Sequence, residues 1–296
     1  MRDDQPSRTA AWVAACRGLA PLLPQEARLA SDPFGARFGG RGATALRELA
    51  ERLPRVVRLA DPLLARLLGP IEHLILWLQL RTRVLDDALL AFVRDGGRQV
   101  VLLGAGFDCR AARFPRELSE SVVYEIDHPA TQARKRRVLD EAGATPANVR
   151  YLEWDFEREP LERLPDRLAA LGHRHDQPTL TIWEGVTMYL TEDAIDTTVR
   201  AVRTYSAARS PFAFSYFERA RVERPPPSGR LLGMIVARLG EPWRFGWDPV
   251  ELPAWLELRG FGIESDRTDG ELAQALLPPR YAARVRAVGR HVAIAR

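Results

Sequence analysis

The sequence predicts an α/β fold built on a parallel sheet, and three observations carry that prediction. Arg98 to Asp127 reads as a strand, a glycine turn, a helix-compatible segment and a second strand with an acidic tip. Strand and helix patterns then alternate as far as Phe217, at the spacing of right-handed βαβ crossovers. The first 95 residues show helical periodicity and no strand signal. With 296 residues, 46% hydrophobic and 28% charged, the chain can bury a sizeable core, and residues 1–296 read as a single domain.

Residues 1–95 come first as a helical cap. Ala10 to Ala20, Thr44 to Leu53, Pro62 to Leu68 and Ile71 to Phe92 place apolar residues three and four apart. Asp32-Pro33 and Asp61-Pro62 read as helix starts, with Asp as cap and Pro at the first helical position. Residues 96–217 form the α/β core, with strands expected at 99–103, 121–126, 148–154, 179–184 and 211–217 and helices at 107–117, 129–142 and 191–208. Residues 218–247 break this rhythm. Pro225-Pro226-Pro227-Ser228-Gly229 is a rigid spacer, and an apolar segment and the aromatic stretch Trp243 to Trp247 follow it. This reads as a lid insertion over the site. Residues 248–296 resume the pattern: a helix from Asp248-Pro249 through Leu258, a strand at Phe261 to Arg267, and a last strand within Arg284 to Ile294.

The formal net charge is +4, and Lys135 is the one lysine among 43 basic residues. So strong a preference for arginine reads as the codon usage of a GC-rich genome. The densest run, Arg134 to Arg137, has no interleaved aromatics and reads as a solvated helix face, so no nucleic-acid partner is expected. Two distant cysteines, Cys16 and Cys109, suggest neither a disulfide framework nor a metal site. The N-terminus lacks the sustained apolar core of a signal peptide, and no apolar run could span a bilayer. A cytoplasmic protein, monomer or homodimer, without membrane attachment is expected.

In a parallel sheet, ligands bind beyond the carboxyl ends of the strands. The residues at those ends are Gly104, Asp127, Asp155 and Glu184. Gly104 and Gly106 let the backbone pass close to a ligand. A GxG alone is weak, and the third glycine of the dinucleotide fingerprint is replaced by Cys109, which argues against a nicotinamide site. Asp127, 23 positions after Gly104, is placed to accept from two ribose hydroxyls, or to cap the helix at Pro129. Asp155 with Phe156 suits an adenine, the carboxylate toward its amine and the ring on its face; a helix cap with a core Phe is the plainer alternative. Glu184 ends a buried strand and calls for a cationic partner, for which the amino group of a methionine moiety is a candidate.

The ordered segments RTRVLDD (81–87), QVVLLGAGFDCRAARF (99–114), VYEIDHP (123–129), RYLEWDF (150–156), PTLTIWEGVTMYL (178–190) and FGWDPVELPAWLELRGF (245–261) resemble the leucine carboxyl methyltransferase family, most of all its bacterial branch of polyketide O-methyltransferases. The resemblance covers about residues 27–265, and the order and spacing of six motifs carry it. It implies a Rossmann-like class I methyltransferase with a seven-stranded, mostly parallel sheet whose last strand is antiparallel. S-adenosyl-L-methionine is the implied cofactor. Gly104 and Gly106 would face its methionine part, Asp127 its ribose, Asp155 and Phe156 its adenine, and Glu184 its amino group. Arg81, in preference to Arg83, would pair with its carboxylate, while Asp108 and Arg113 would brace the glycine loop. Where the family commonly has Thr, this chain has Cys109, also small.

The implied reaction is in-line O-methylation of a small-molecule acceptor. A carboxylate is ionised near neutral pH and needs no general base, whereas a phenol, with a pKa of about 10, would want one. A carboxylate of a natural product is therefore the expected acceptor, ahead of a phenol, a hydroxyl or a protein carboxylate. His128, in the DHP turn, and Tyr189 are the weak catalytic candidates. His173 and His175 read as surface residues. Tyr189, Trp243 and Phe245 are candidates for the acceptor pocket, with Arg219 or Arg244 near it for an acidic group. A nicotinamide-dependent oxidoreductase and a non-catalytic nucleotide-binding module are the rival classes.

Overall fold

The computed structural model describes residues 5–67, 69–156, 158–225, 234 and 242–296. Seven strands among these form one sheet: β1 Gln99–Leu103, β2 Val122–Asp127, β3 Val149–Glu153, β4 Thr179–Trp183, β5 Phe212–Phe217, β6 Ile263–Thr268 and β7 Arg290–Ala295. Their order is β3-β2-β1-β4-β5-β7-β6. β1 pairs in parallel with both β2 and β4, and β7 runs antiparallel to β5 and β6. The sheet is thus mostly parallel with an antiparallel last strand, as the resemblance implied.

β1 and β4 are buried along their whole length, as central parallel strands covered on both faces must be. The period-two alternation of β1 sends Val100 and Leu102 to one face and Val101 and Leu103 to the other. On the first face they meet Leu76, Leu80, Leu85 and Leu89 of the helix Gly69–Arg94. On the second they meet Ile195, Val199 and Val202 of the helix Glu192–Tyr205. Residues 75–80 are buried all round, because the helix Arg8–Gly18 covers the side turned away from the sheet. That helix crosses Gly35–Phe38 at close range, where a Cβ on Gly18 would lie 2.1 Å from the Ala36 nitrogen.

Several local expectations are corrected. The helix Pro54–Leu67 runs through Pro62, so Asp61-Pro62 starts nothing. Pro54 occupies the first turn, where a missing N–H costs little, and Asp61 is engaged by Arg284 at 2.8 and 2.9 Å. The helix expected at 107–117 shrinks to Arg110–Arg113. Asp248 accepts from the Val250 nitrogen in a turn, and the helix begins only at Leu252. A short helix, Pro279–Ala282, precedes β7, which begins at Arg290. Lys135 does not share a solvated face: it is buried against Glu125 at 2.7 Å. His173 is also buried, with Nε2 2.9 Å from the Thr179 hydroxyl and its ring between Tyr124 and Tyr205.

Most of the expected lid, residues 226–233 and 235–241, lies outside the described residues. Its two flanks meet beside the end of β5. The Trp247 nitrogen donates to the Phe217 carbonyl at 3.0 Å, and the Arg219 nitrogen to the Trp247 carbonyl at 2.8 Å. Among the described residues, no helix is long and apolar enough to cross a membrane.

Candidate active site

The chain leaves β1 in a turn that only glycine takes without strain. Gly104 has φ +60° and Gly106 φ +48°. Ala105 donates its N–H to the Ile126 carbonyl at 3.0 Å, which pins the turn to the end of β2. Asp127, next along, accepts from the Gly106 nitrogen at 2.6 Å through Oδ2 and from the His128 nitrogen at 2.7 Å through Oδ1. Burial raises its pKa, against the pull of those two bonds. His128 caps the helix Pro129–Glu141, its Nδ1 accepting from the Ala130 nitrogen at 3.2 Å.

Asp155 and Phe156 follow β3. Arg158 approaches the Asp155 carboxylate at 3.6 Å, and the half-buried Phe156 packs on the apolar layer that holds Val101 and Leu103. After β4, Glu184 meets Arg81 Nε at 2.8 Å and Arg110 Nη1 at 2.7 Å. Burial would raise the Glu184 pKa, but the Arg110 and Arg81 guanidiniums outweigh it and hold the carboxyl well below the usual carboxylate range. Gly185, with φ +70°, leaves room for Arg81, whose Nη1 would lie 3.2 Å from a Cβ there.

Arg110 is a residue that the sequence reading passed over. It also contacts Asp86, at 2.8 Å, and Asp108. Asp108 braces the turn as expected, its nitrogen donating to the Ala105 carbonyl at 2.8 Å. Arg113 instead ties Asp86 to the Ser31 carbonyl, away from the turn. Arg17 joins Asp32 at 2.6 Å to the Phe107 carbonyl at 2.7 Å. Four arginines (17, 81, 110 and 113) are thereby matched by four carboxylates (32, 86, 108 and 184). This balanced network fixes the glycine turn against the helical cap.

These elements enclose a cavity of about 530 Å³, within the range of small-ligand sites. Arg81, Gly104, Gly106, Asp127, Asp155, Phe156 and Glu184 all line it, as do His128, Tyr189 and Trp243. Arg83 does not; it pairs with Asp87 on the exposed side of its helix. Phe245 is also absent from the cavity, because its ring turns edge-on to Trp247 and joins the core. Arg219 is engaged by Glu251 at 2.9 Å, whereas Arg221 and Arg290, unremarked in the sequence, line the wall near the end of β5. Trp12 and Trp77 contribute apolar surface from the helical cap.

A model of the leucine carboxyl methyltransferase family matches residues 10–203. A Frankia alni protein described as a "Putative S-adenosyl-L-methionine-dependent methyltransferase" is 33% identical over 264 residues, covering 87% of this chain and 82% of that protein. A Mycobacterium ulcerans protein of the same description is 37% identical over 207 residues, 69% of this chain and 61% of its own length. The chain thus spans about three fifths of the length of the first curated relatives it matches. The fold is similar to that of a crystal structure of a DUF574 family protein from Streptomyces avermitilis (TM-score 0.58, 16% identity, 94% of this chain and 99% of that one). It is also similar to one from Thermobifida fusca described as a "putative methyltransferase" (TM-score 0.57, 19% identity, 93% and 95%). On the family match, the chain belongs to the leucine carboxyl methyltransferase family.

Proposed function

We propose that this chain is an S-adenosylmethionine-dependent O-methyltransferase acting on a carboxylate of a small, natural-product-like acceptor. One observation carries the reading. The residues placed by sequence at the carboxyl ends of β1 to β4, together with Arg81, line a single cavity. They also fit the cofactor chemically. Gly104 and Gly106 leave no Cβ on the turn. Asp127 spends two acceptor sites on backbone N–H groups and keeps others for ribose hydroxyls. Asp155 and Phe156 then serve the adenine, Arg81 the carboxylate and Glu184 the amino group.

When bound, S-adenosylmethionine supplies a methyl group already made electrophilic by its sulfonium. The chain's part is alignment and exclusion of water. Glu184 stays ionised because Arg81 and Arg110 hold it so. Of the five histidines only His128 lines the cavity, and its Nδ1 is committed to a helix cap. The absence of a free imidazole base among the described cavity residues favours an acceptor that is already ionised.

Incubation with methyl-labelled S-adenosylmethionine and a panel of aromatic carboxylic acids and phenols tests this. The expected product releases labelled methanol on mild base treatment, as a methyl ester does and an aryl ether does not. His128→Ala should leave the rate almost intact; a loss of about a thousand-fold would favour base-assisted phenol methylation. Binding of S-adenosylhomocysteine without transfer to any acceptor would support a non-catalytic module instead.

A further inference from the structure

Beyond β4 the charge balance of the cavity wall changes. Arg221, on the helix Arg219–Glu223 that follows β5, is 6% exposed. Its Nη1 donates to the Val288 carbonyl at 2.8 Å, and its Nε is buried with no hydrogen-bond partner among the described residues. None of the described carboxylates forms an ion pair with it. Its guanidinium instead lies against two rings, 4.8 Å from the Phe217 centroid and 5.3 Å from that of Trp243.

Arg290 stands across from Phe217 at the start of β7 and is 3% exposed. Its Nε meets Asp269 at 3.1 Å, Nη2 meets His73 Nε2, and the guanidinium lies 4.9 Å from the Trp77 ring. Burial pushes His73 down to about 4, so its ring is neutral and adds no charge. Arg221 and Arg290 both line the cavity; Asp269 pairs with Arg290, while Asp269 and Glu218 act on Arg221 through space without forming an ion pair with it. Arg221 thus stands at this end of the wall without a described carboxylate in contact, unlike the matched arginines under the glycine turn. A buried cation without a counter-ion is costly and gains most from an incoming anion. Contact with the Phe217 and Trp243 rings and the bond to the Val288 carbonyl restrain the guanidinium, which leaves less freedom to lose when an oxyanion docks.

We propose that Arg221, steadied by Phe217, Trp243 and the Val288 carbonyl and backed by Arg290, is the anion anchor of the acceptor pocket. It takes an acidic group of the acceptor while Trp243, Trp77 and Trp12 cover an aromatic or apolar body. The inference deepens the methyltransferase reading and rests on it for the identity of the bound molecule as acceptor. The anion preference itself is measurable without catalysis.

The test uses two probes of one shape, 2-naphthoate and the neutral 2-naphthamide, titrated calorimetrically into protein saturated with S-adenosylhomocysteine. The acid should bind the wild type about ten-fold or more tightly than the amide, the scale of one charge-assisted pair. Arg221→Met should abolish that preference while leaving affinity for the amide and for S-adenosylhomocysteine within about two-fold. Should the Met variant fail to fold, Arg221→Gln is held to the same criteria. Equal binding of acid and amide to the wild type, an acid preference that survives in the variant, or no binding of either probe would each overturn the anchor. Loss of S-adenosylhomocysteine binding by the wild type would sink the cofactor reading separately. The acid preference would then be measured on the protein alone.

Discussion

Replacing Gly104 with alanine probes the turn through two costs that can be separated. At φ +60° any Cβ incurs the left-handed penalty of about 1–2 kcal/mol. The new methyl would also lie 2.7 Å from Val186 Cγ2, an overlap that costs about 1–3 kcal/mol when neighbours must shift. The sum is about 2–5 kcal/mol. Gly106, at φ +48°, has Ala10 Cβ as its nearest atom at 3.5 Å, an ordinary contact. Gly106→Ala should therefore cost only the backbone part, about 1–2 kcal/mol. Shortening the neighbour separates the two terms. In a Val186→Ala background the overlap disappears, and Gly104→Ala should cost no more than Gly106→Ala does. Urea unfolding of the wild type, the three single variants and the double variant measures this, provided that the slopes agree. Equal costs for the two glycines in the natural background, or no relief from Val186→Ala, would refute the steric reasoning.

The other expectations bear on the carboxylates and on a buried ring. Asp127→Asn can accept from only one of the Gly106 and His128 nitrogens and turns an amide donor toward the other, so S-adenosylhomocysteine affinity should fall about 10–100-fold by calorimetry; a change under about three-fold would remove Asp127 from the cofactor site. Arg110→Met leaves Glu184, Asp86 and Asp108 short of a partner and should destabilise the fold by about 3–5 kcal/mol, with a loss under 1 kcal/mol counting against the network. Burial pushes His173 down to about 4 from an ordinary value near 6.5, so the fold favours the neutral ring. That contribution is complete above pH 6.5 and is lost as pH falls toward 4, by at most about 3 kcal/mol. His173→Gln should lose less stability than the wild type between pH 7 and 4.5, and identical losses would refute the assignment.

What the sequence disclosed was mostly local. Four of the five strands of the core are largely apolar runs and the fifth, β3, alternates apolar and charged residues, so strand positions were legible to within a residue or two. The cavity residues beyond β1 to β4 followed because each stands at the end of its own strand. The arginines were another matter. Arg17, Arg110, Arg221 and Arg290 find partners 15, 74, 67 and 217 positions away, and in a chain with 43 basic residues nothing local marks the buried ones. Arg110 left one trace: it stands two residues after Asp108 in the glycine-loop motif, where a charge close to a buried turn needs an opposite charge. His173 was hidden by its polar loop neighbours, since its partners Tyr124 and Tyr205 come from other elements. Trp243 and Phe245 looked alike as lid aromatics, yet only Trp243 lines the cavity. Phe245 is drawn to Trp247, whose backbone is stitched to Phe217 beside β5.

The seat beside Gly104 and Gly106 is most directly tested by calorimetric titration of the purified protein with S-adenosylhomocysteine and, in parallel, with NAD. One equivalent of S-adenosylhomocysteine should bind with a dissociation constant within about 1 μM–1 mM, and NAD should give no heat. Saturable NAD binding, or no S-adenosylhomocysteine binding at about 1 mM, would contradict it.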